Sequence, residues 1–205
     1  MKKRLLSWLF VAGMLLTAAG CSNANNNKGN DGTAAADSSA AAGTSVSSGS
    51  TGSADDYSGV AEGPLVPGMT VPNFKAELAG GGEFILSENK DKVIFVNVWA
   101  TWCPYCLREF PEIQRLADEY KDRVVFLEIN FGETRDVVDD YIAKNDYTFT
   151  YAYDENRYLC STKFPTSGIP YTVVIRDGKV VEKFSGAPRD AYGVYKSAIE
   201  EALGK

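Results

Sequence analysis

The sequence predicts a three-layer α/β sandwich on a mixed β-sheet, preceded by a disordered tether. Three observations carry that expectation. Strand and helix patterns alternate through the first part of the foldable segment. Two of the strand patterns, Val93–Trp99 and Val124–Asn130, are nearly continuous apolar runs, as expected of strands covered on both faces. The chain then closes with two strand patterns around Asp177-Gly178 and a helix, which adds an antiparallel hairpin to a parallel set.

The elements follow in order. Residues 74–86, broken by Gly80-Gly81-Gly82, read as a hairpin. After the strand Val93–Trp99, a helix is expected over Pro104–Tyr120, kinked at Pro111. The strand Val124–Asn130 leads to a second helix over 134–145, with Val137, Val138, Tyr141 and Ile142 on its apolar face. A strand over 148–153 and a short helix over 157–163 come next. Tyr171–Arg176 and Lys179–Ser185 flank the two-residue turn, and 189–203 forms the last helix.

At 205 residues there is room for one core and a tail. Lys and Arg total 21 against 27 Asp and Glu, a net charge of -6 that becomes -9 if a leader bearing Lys2, Lys3 and Arg4 is removed. An acidic chain without a basic run is a poor nucleic-acid binder. The lack of histidine excludes imidazole metal ligands and Ser-His or Cys-His catalytic pairs.

The first residues read as a leader over 1–20: a basic start, an uncharged and mostly apolar run over 5–16, then small residues before Cys21. The alternative is an uncleaved anchor, although the run is short of the roughly 20 residues that span a bilayer. Cys21 after small residues resembles a bacterial lipobox, with Ala18 where that pattern usually has Leu. Lipid on Cys21 would hold the mature protein to a membrane surface. Residues 21–63 are rich in Ser, Gly, Ala, Asn, Thr and Asp and are expected to be a disordered tether, plain or glycan-bearing. Some 40 such residues reach on the order of 35 Å. The folded domain is expected over 64–205.

Cys103-Pro104-Tyr105-Cys106 lies where a buried strand passes into a helix. A cysteine at a helix N-terminus meets free N–H groups and the helix dipole, which favour its thiolate, so Cys103 is the expected nucleophile. Cys106 returns to nearly the same face and is suited to resolve a mixed disulfide. Pro104 fits the first turn, where its missing N–H has no partner to lose. A zinc site would need further ligands, with only Cys160 free to join. A purely structural disulfide would close a loop too small to constrain the unfolded chain much. Cys160 reads as a buried structural thiol or as a third redox thiol.

Beyond the CxxC, the sequence carries Val96-Asn-Val-Trp-Ala-Thr-Trp-Cys103, Glu109-Phe-Pro111 and Gly168-Ile-Pro170-Tyr-Thr-Val-Val-Ile-Arg-Asp-Gly178. With these motifs the segment from about Pro67 to Leu203 resembles the TlpA/ResA branch of the thioredoxin-like superfamily. The resemblance implies a thioredoxin-like fold, reversible dithiol–disulfide exchange, and a cis peptide at Ile169-Pro170 beside the cysteines. It also implies that the backbone of Ile169 pairs with a substrate strand, and that Trp102, Pro104, Tyr105 and Pro170 help to form the substrate surface. Glu109, three residues beyond Cys106, would assist proton transfer at the buried thiol; otherwise it is a solvated surface carboxylate. The Pro-Tyr dipeptide departs from this branch and looks like that of glutaredoxins, whose potentials lie above that of thioredoxin. The direction of electron flow is open at this point.

The expected function is thiol–disulfide exchange with exported proteins outside the cytoplasm, more in the reducing than in the oxidising direction. By resemblance the substrates are protein disulfides, such as those of apocytochrome c, and the electrons come from a membrane thiol carrier. No cofactor beyond the Cys103–Cys106 pair is expected, and the protein is expected to be a lipid-anchored monomer. A peroxiredoxin-like peroxidase is the alternative enzyme, but its Thr-x-x-Cys pattern is absent, since Thr101 stands two residues before Cys103. A non-catalytic surface lipoprotein that only binds is the alternative outside enzymes.

Overall fold

The computed structural model describes residues 56–205. The expected leader, Cys21 and the tether up to residue 55 lie outside the described residues. The elements are β1 (Lys75–Glu77), β2 (Glu83–Ile85), β3 (Val93–Trp99), α1 (Pro104–Tyr120), β4 (Val124–Asn130), α2 (Arg135–Ala143), β5 (Thr150–Ala152), α3 (Tyr158–Thr162), β6 (Tyr171–Arg176), β7 (Lys179–Ser185) and α4 (Ala191–Ala202). Five strands make one sheet in the order β5-β4-β3-β6-β7, and β1 and β2 pair as a separate hairpin. β3, β4 and β5 run parallel, while β6 and β7 join antiparallel on the other side of β3. This is the mixed sheet of a thioredoxin-like sandwich.

Every residue of β3 is buried, because both faces of the sheet are covered. Val93, Phe95 and Trp99 face a core shared with α1, α2 and α4, including Phe110, Ile113, Val138, Tyr195 and Ile199. Ile94, Val96 and Val98 face a second core with the hairpin, α3 and the entering chain, including Phe74, Phe84, Leu159 and Phe164. The period-2 alternation of a strand thus divides one apolar run between two cores. Trp99 anchors the end of β3 by packing against Phe110 and Tyr141 at ring-centroid distances of 5.1 and 4.8 Å.

The β6–β7 turn has positive φ at both Asp177 and Gly178, the geometry of a type I′ hairpin. The boundaries of α2, α3 and α4 move by a residue or two from the expected ones. α4 starts at Ala191 because the Asp190 carboxylate caps it by accepting the Gly193 N–H at 2.9 Å. α2 buries fully only Val138, and Val137 is exposed.

The chain is tied to the domain before Pro64. Lys163 is fully buried and its ammonium donates to the carbonyls of Tyr57, at 2.7 Å, and Gly59. The Ala61 N–H donates to the Thr162 carbonyl at 2.7 Å. A buried ammonium needs acceptors, and here the entering backbone supplies them.

Candidate active site

The turn from β3 into α1 places Cys103 at the N-cap and Pro104 in the first turn of the helix. Cys103 and Cys106 form a disulfide with a Cα–Cα distance of 5.3 Å. The Cys106 N–H points at the Cys103 sulfur at 3.2 Å, a donor that favours a thiolate there on reduction. Cys103 retains 3% of its surface and Cys106 none, so an attacking sulfur finds Cys103 first. Around them Trp102 and Tyr105 are exposed, with the Arg108 guanidinium 4.9 Å from the Tyr105 ring centre. These aromatic faces beside a sunken disulfide suit a partner that buries them on docking.

The Ile169–Pro170 peptide is cis, as the resemblance implied. Pro170 is buried, and Ile169 packs against the cluster that contains both cysteines. Next to this loop Pro64, Pro165, Thr166, Ser167, Tyr171 and Lys183 line most of a groove of about 380 Å³.

Glu109, in the second turn of α1 and three residues beyond Cys106, is 2% exposed, which removes the solvated-surface alternative. It accepts from Asn97 Nδ2 at 2.7 Å and from the Tyr195 hydroxyl at 2.9 Å. Burial pushes its carboxyl up from 4.5 to about 7, against the opposing pull of these two donors. A carboxyl titrating there can both take and return a proton near neutrality.

Several residues of this neighbourhood escaped the sequence reading. Asn97 and Tyr195 hold Glu109, and Thr172 accepts from Asn97 Nδ2 at 2.9 Å. Glu128, the register partner of Asn97 on β4, is fully buried. Glu133 accepts from the Thr101 N–H at 2.7 Å and from Asn130 Nδ2 at 2.8 Å, which ties the loop after β4 to the turn before Cys103. Asn97 and Glu128 had a signal: each is a polar residue inside an apolar strand run. Tyr195 and Glu133 had none, since both sit in segments where such residues are ordinary.

Cys160 is buried on α3, where the Asp154 carboxylate accepts the N–H groups of Leu159 and Cys160 at 3.0 and 2.9 Å. Burial, then the charge of Asp154, pushes its thiol far up, so it stays protonated and unreactive.

The family model described as Redoxin matches residues 66–203. The thiol-disulfide oxidoreductase ResA of a Bacillus cereus strain is 32% identical over 121 residues, covering 58% of this chain and 69% of that protein. ResA of Bacillus subtilis is 31% identical over 121 residues, covering 58% and 67%. Among solved structures, a putative thiol:disulfide interchange protein DsbE from Chlorobium tepidum is similar at 26% identity and a TM-score of 0.62, covering 68% of this chain and 99% of that one. StoA from Bacillus subtilis, at 24% identity, a TM-score of 0.54 and coverage of 66% and 98%, shares the fold.

Proposed function

The chain belongs to the Redoxin family, and from that premise we propose that it reduces disulfides of exported proteins outside the cytoplasm. It is an enzyme, a thiol-disulfide oxidoreductase related to the ResA and DsbE proteins. The observation that carries the reading is a disulfide at the N-terminus of α1, sunken beside exposed Trp102 and Tyr105, with a buried carboxyl three residues beyond Cys106 on the same helix. Cys103, as thiolate, attacks the substrate disulfide and forms a mixed disulfide. Cys106 then attacks Cys103 sulfur and releases the reduced substrate, and its proton goes to Glu109. Ile169 and Pro170 present backbone to an extended substrate segment, while Trp102, Pro104 and Tyr105 form the rest of the docking surface.

An apocytochrome c or another exported protein with paired cysteines fits this surface chemistry, and a membrane thiol carrier returns the electrons. The leader and Cys21 support a lipid anchor on the outer side of a bacterial membrane. Insulin reduction by purified protein in the presence of dithiothreitol tests the activity. Acceleration over dithiothreitol alone, lost in Cys103→Ser, is expected. No acceleration would leave a protein that only binds, and rapid peroxide consumption instead would make it a peroxidase.

A further inference from the structure

Glu128 on β4 is fully buried, and neither of its carboxyl oxygens has a hydrogen-bond partner among the described residues. An ionised carboxylate left that way would carry an uncompensated desolvation cost, so the neutral acid is the resident form. Burial, followed by the negative charge of Glu109, pushes it in that direction. A neutral acid has an O–H to donate.

The adjoining strand holds an acceptor that has no partner among the described residues. Asn97 is the register partner of Glu128 on one side and of Thr172 on the other. Its amide nitrogen is committed to Glu109 and Thr172, and its amide oxygen has no partner among the described residues. The nitrogen end therefore serves the β6 side and the oxygen end is left for the β4 side. A half-turn of the amide would exchange the two ends. If Glu128 were ionised, the reversed amide would suit it better, and Glu109 would have to keep its proton to donate to the oxygen. Two buried carboxyls whose charges act on one another do not readily both ionise, and an amide reaching both would favour one over the other.

We propose that Glu128, as a neutral acid donating to Asn97 Oδ1, is a positioning residue that fixes the Asn97 amide and so assigns the single negative charge of the buried pair to Glu109. This rests on Glu109 as the group that takes the Cys106 proton. In that step the Cys106 S–H proton passes to the Glu109 carboxylate while Cys106 sulfur bonds to Cys103 sulfur. The bond from Cys103 to the substrate sulfur breaks, and the substrate leaves as a thiolate; the dithiol has then given two electrons to the substrate disulfide. The groups facing Glu128 are Asn97 on β3, Tyr151 on β5, Tyr141 on α2, Tyr195 on α4 and Glu109 on α1. Those facing Glu109 are Asn97, Tyr195, the Arg108 guanidinium and Glu128.

The test is the stopped-flow rate of Cys103–Cys106 reduction by dithiothreitol against pH, on the full chain, for wild type, Glu109→Gln, Glu128→Gln and Glu128→Met. Glu128→Gln keeps a neutral donor and should reproduce the wild-type profile. Glu128→Met has similar size and no donor. Freed, the Asn97 amide no longer holds its N–H on Glu109, so the midpoint should move up by about one pH unit. Adding Glu128→Met to Glu109→Gln should change nothing further. A Glu128→Met profile superimposable on wild type, or equal shifts in both Glu128 variants, overturns the proposal. Superimposable wild-type and Glu109→Gln profiles would instead sink the role of Glu109, and that comparison involves no change at Glu128. Should Glu128→Met not fold, infrared titration of wild type and Glu128→Gln decides. In wild type one buried carboxylic acid band should persist above the titration of Glu109 and be missing in Glu128→Gln; no such band in wild type overturns the proposal.

Discussion

A glutamate that enters the core uncharged gives stability a pH dependence of opposite sign to that of a salt-bridged carboxylate. Glu109 titrates at about 7 in the folded protein against 4.5 ordinarily, so between those values the folded chain holds a proton that the unfolded chain has lost. Stability then falls as pH rises through that window; the Glu109 contribution levels off above it, while Glu128, pushed up further by burial and by Glu109, continues the fall. Glu109→Gln should match wild type near pH 4 and exceed it near pH 8, by on the order of 3 kcal/mol less what its hydrogen bonds lose. Thermal melts at the two pH values check this, and an equal difference at both would contradict it. The cysteines at this site were fully legible in the sequence, because a CxxC after a buried strand has few other meanings. The company of Glu109 was not, because Tyr195 comes from α4, 86 residues further on, and only tertiary packing brings it there.

Among the elements, those whose pattern is self-contained were legible to the residue. β3, α1, β4, β6 and β7 have the expected limits, since long apolar runs, Pro104 and the Asp177-Gly178 turn mark them locally. The elements that came out shorter take their ends from neighbours. β5 pairs with β4 only over Thr150–Ala152, and pairing, not composition, sets its length. Gly178 gives a test at this scale. Its φ of +72° costs a residue with a Cβ about 1–2 kcal/mol, while no atom lies within 4 Å of where that Cβ would sit. Gly178→Ala should therefore lose about that much in urea melts and leave insulin reduction unchanged. A loss of activity at full stability would mean that the β6–β7 hairpin serves the site directly.

For the whole molecule, the three-layer arrangement follows from one property of the sequence: two central strands with no polar face. Each must be covered on both sides; α1, α2 and α4 cover one, and the hairpin, α3 and the entering chain cover the other. The attachment of residues 57–61 was not legible, because a Ser- and Gly-rich composition says nothing of the buried ammonium of Lys163 that captures their carbonyls. The anchoring proposed for Cys21 predicts that Cys21→Ala moves the protein from the membrane to the soluble fraction on cell fractionation. Retention at the wild-type level would point to an uncleaved apolar leader.

The division of labour between the cysteines is tested most directly by trapping. Cys103→Ser and Cys106→Ser proteins are each reduced, mixed with a disulfide-bonded protein substrate, quenched with acid and analysed by non-reducing gel and peptide mass spectrometry. Cys106→Ser should accumulate a mixed disulfide through Cys103, since it can attack but not resolve. Cys103→Ser should form none. A trapped species in Cys103→Ser joined through Cys106, with none in Cys106→Ser, would contradict the assignment of Cys103 as the attacking thiol.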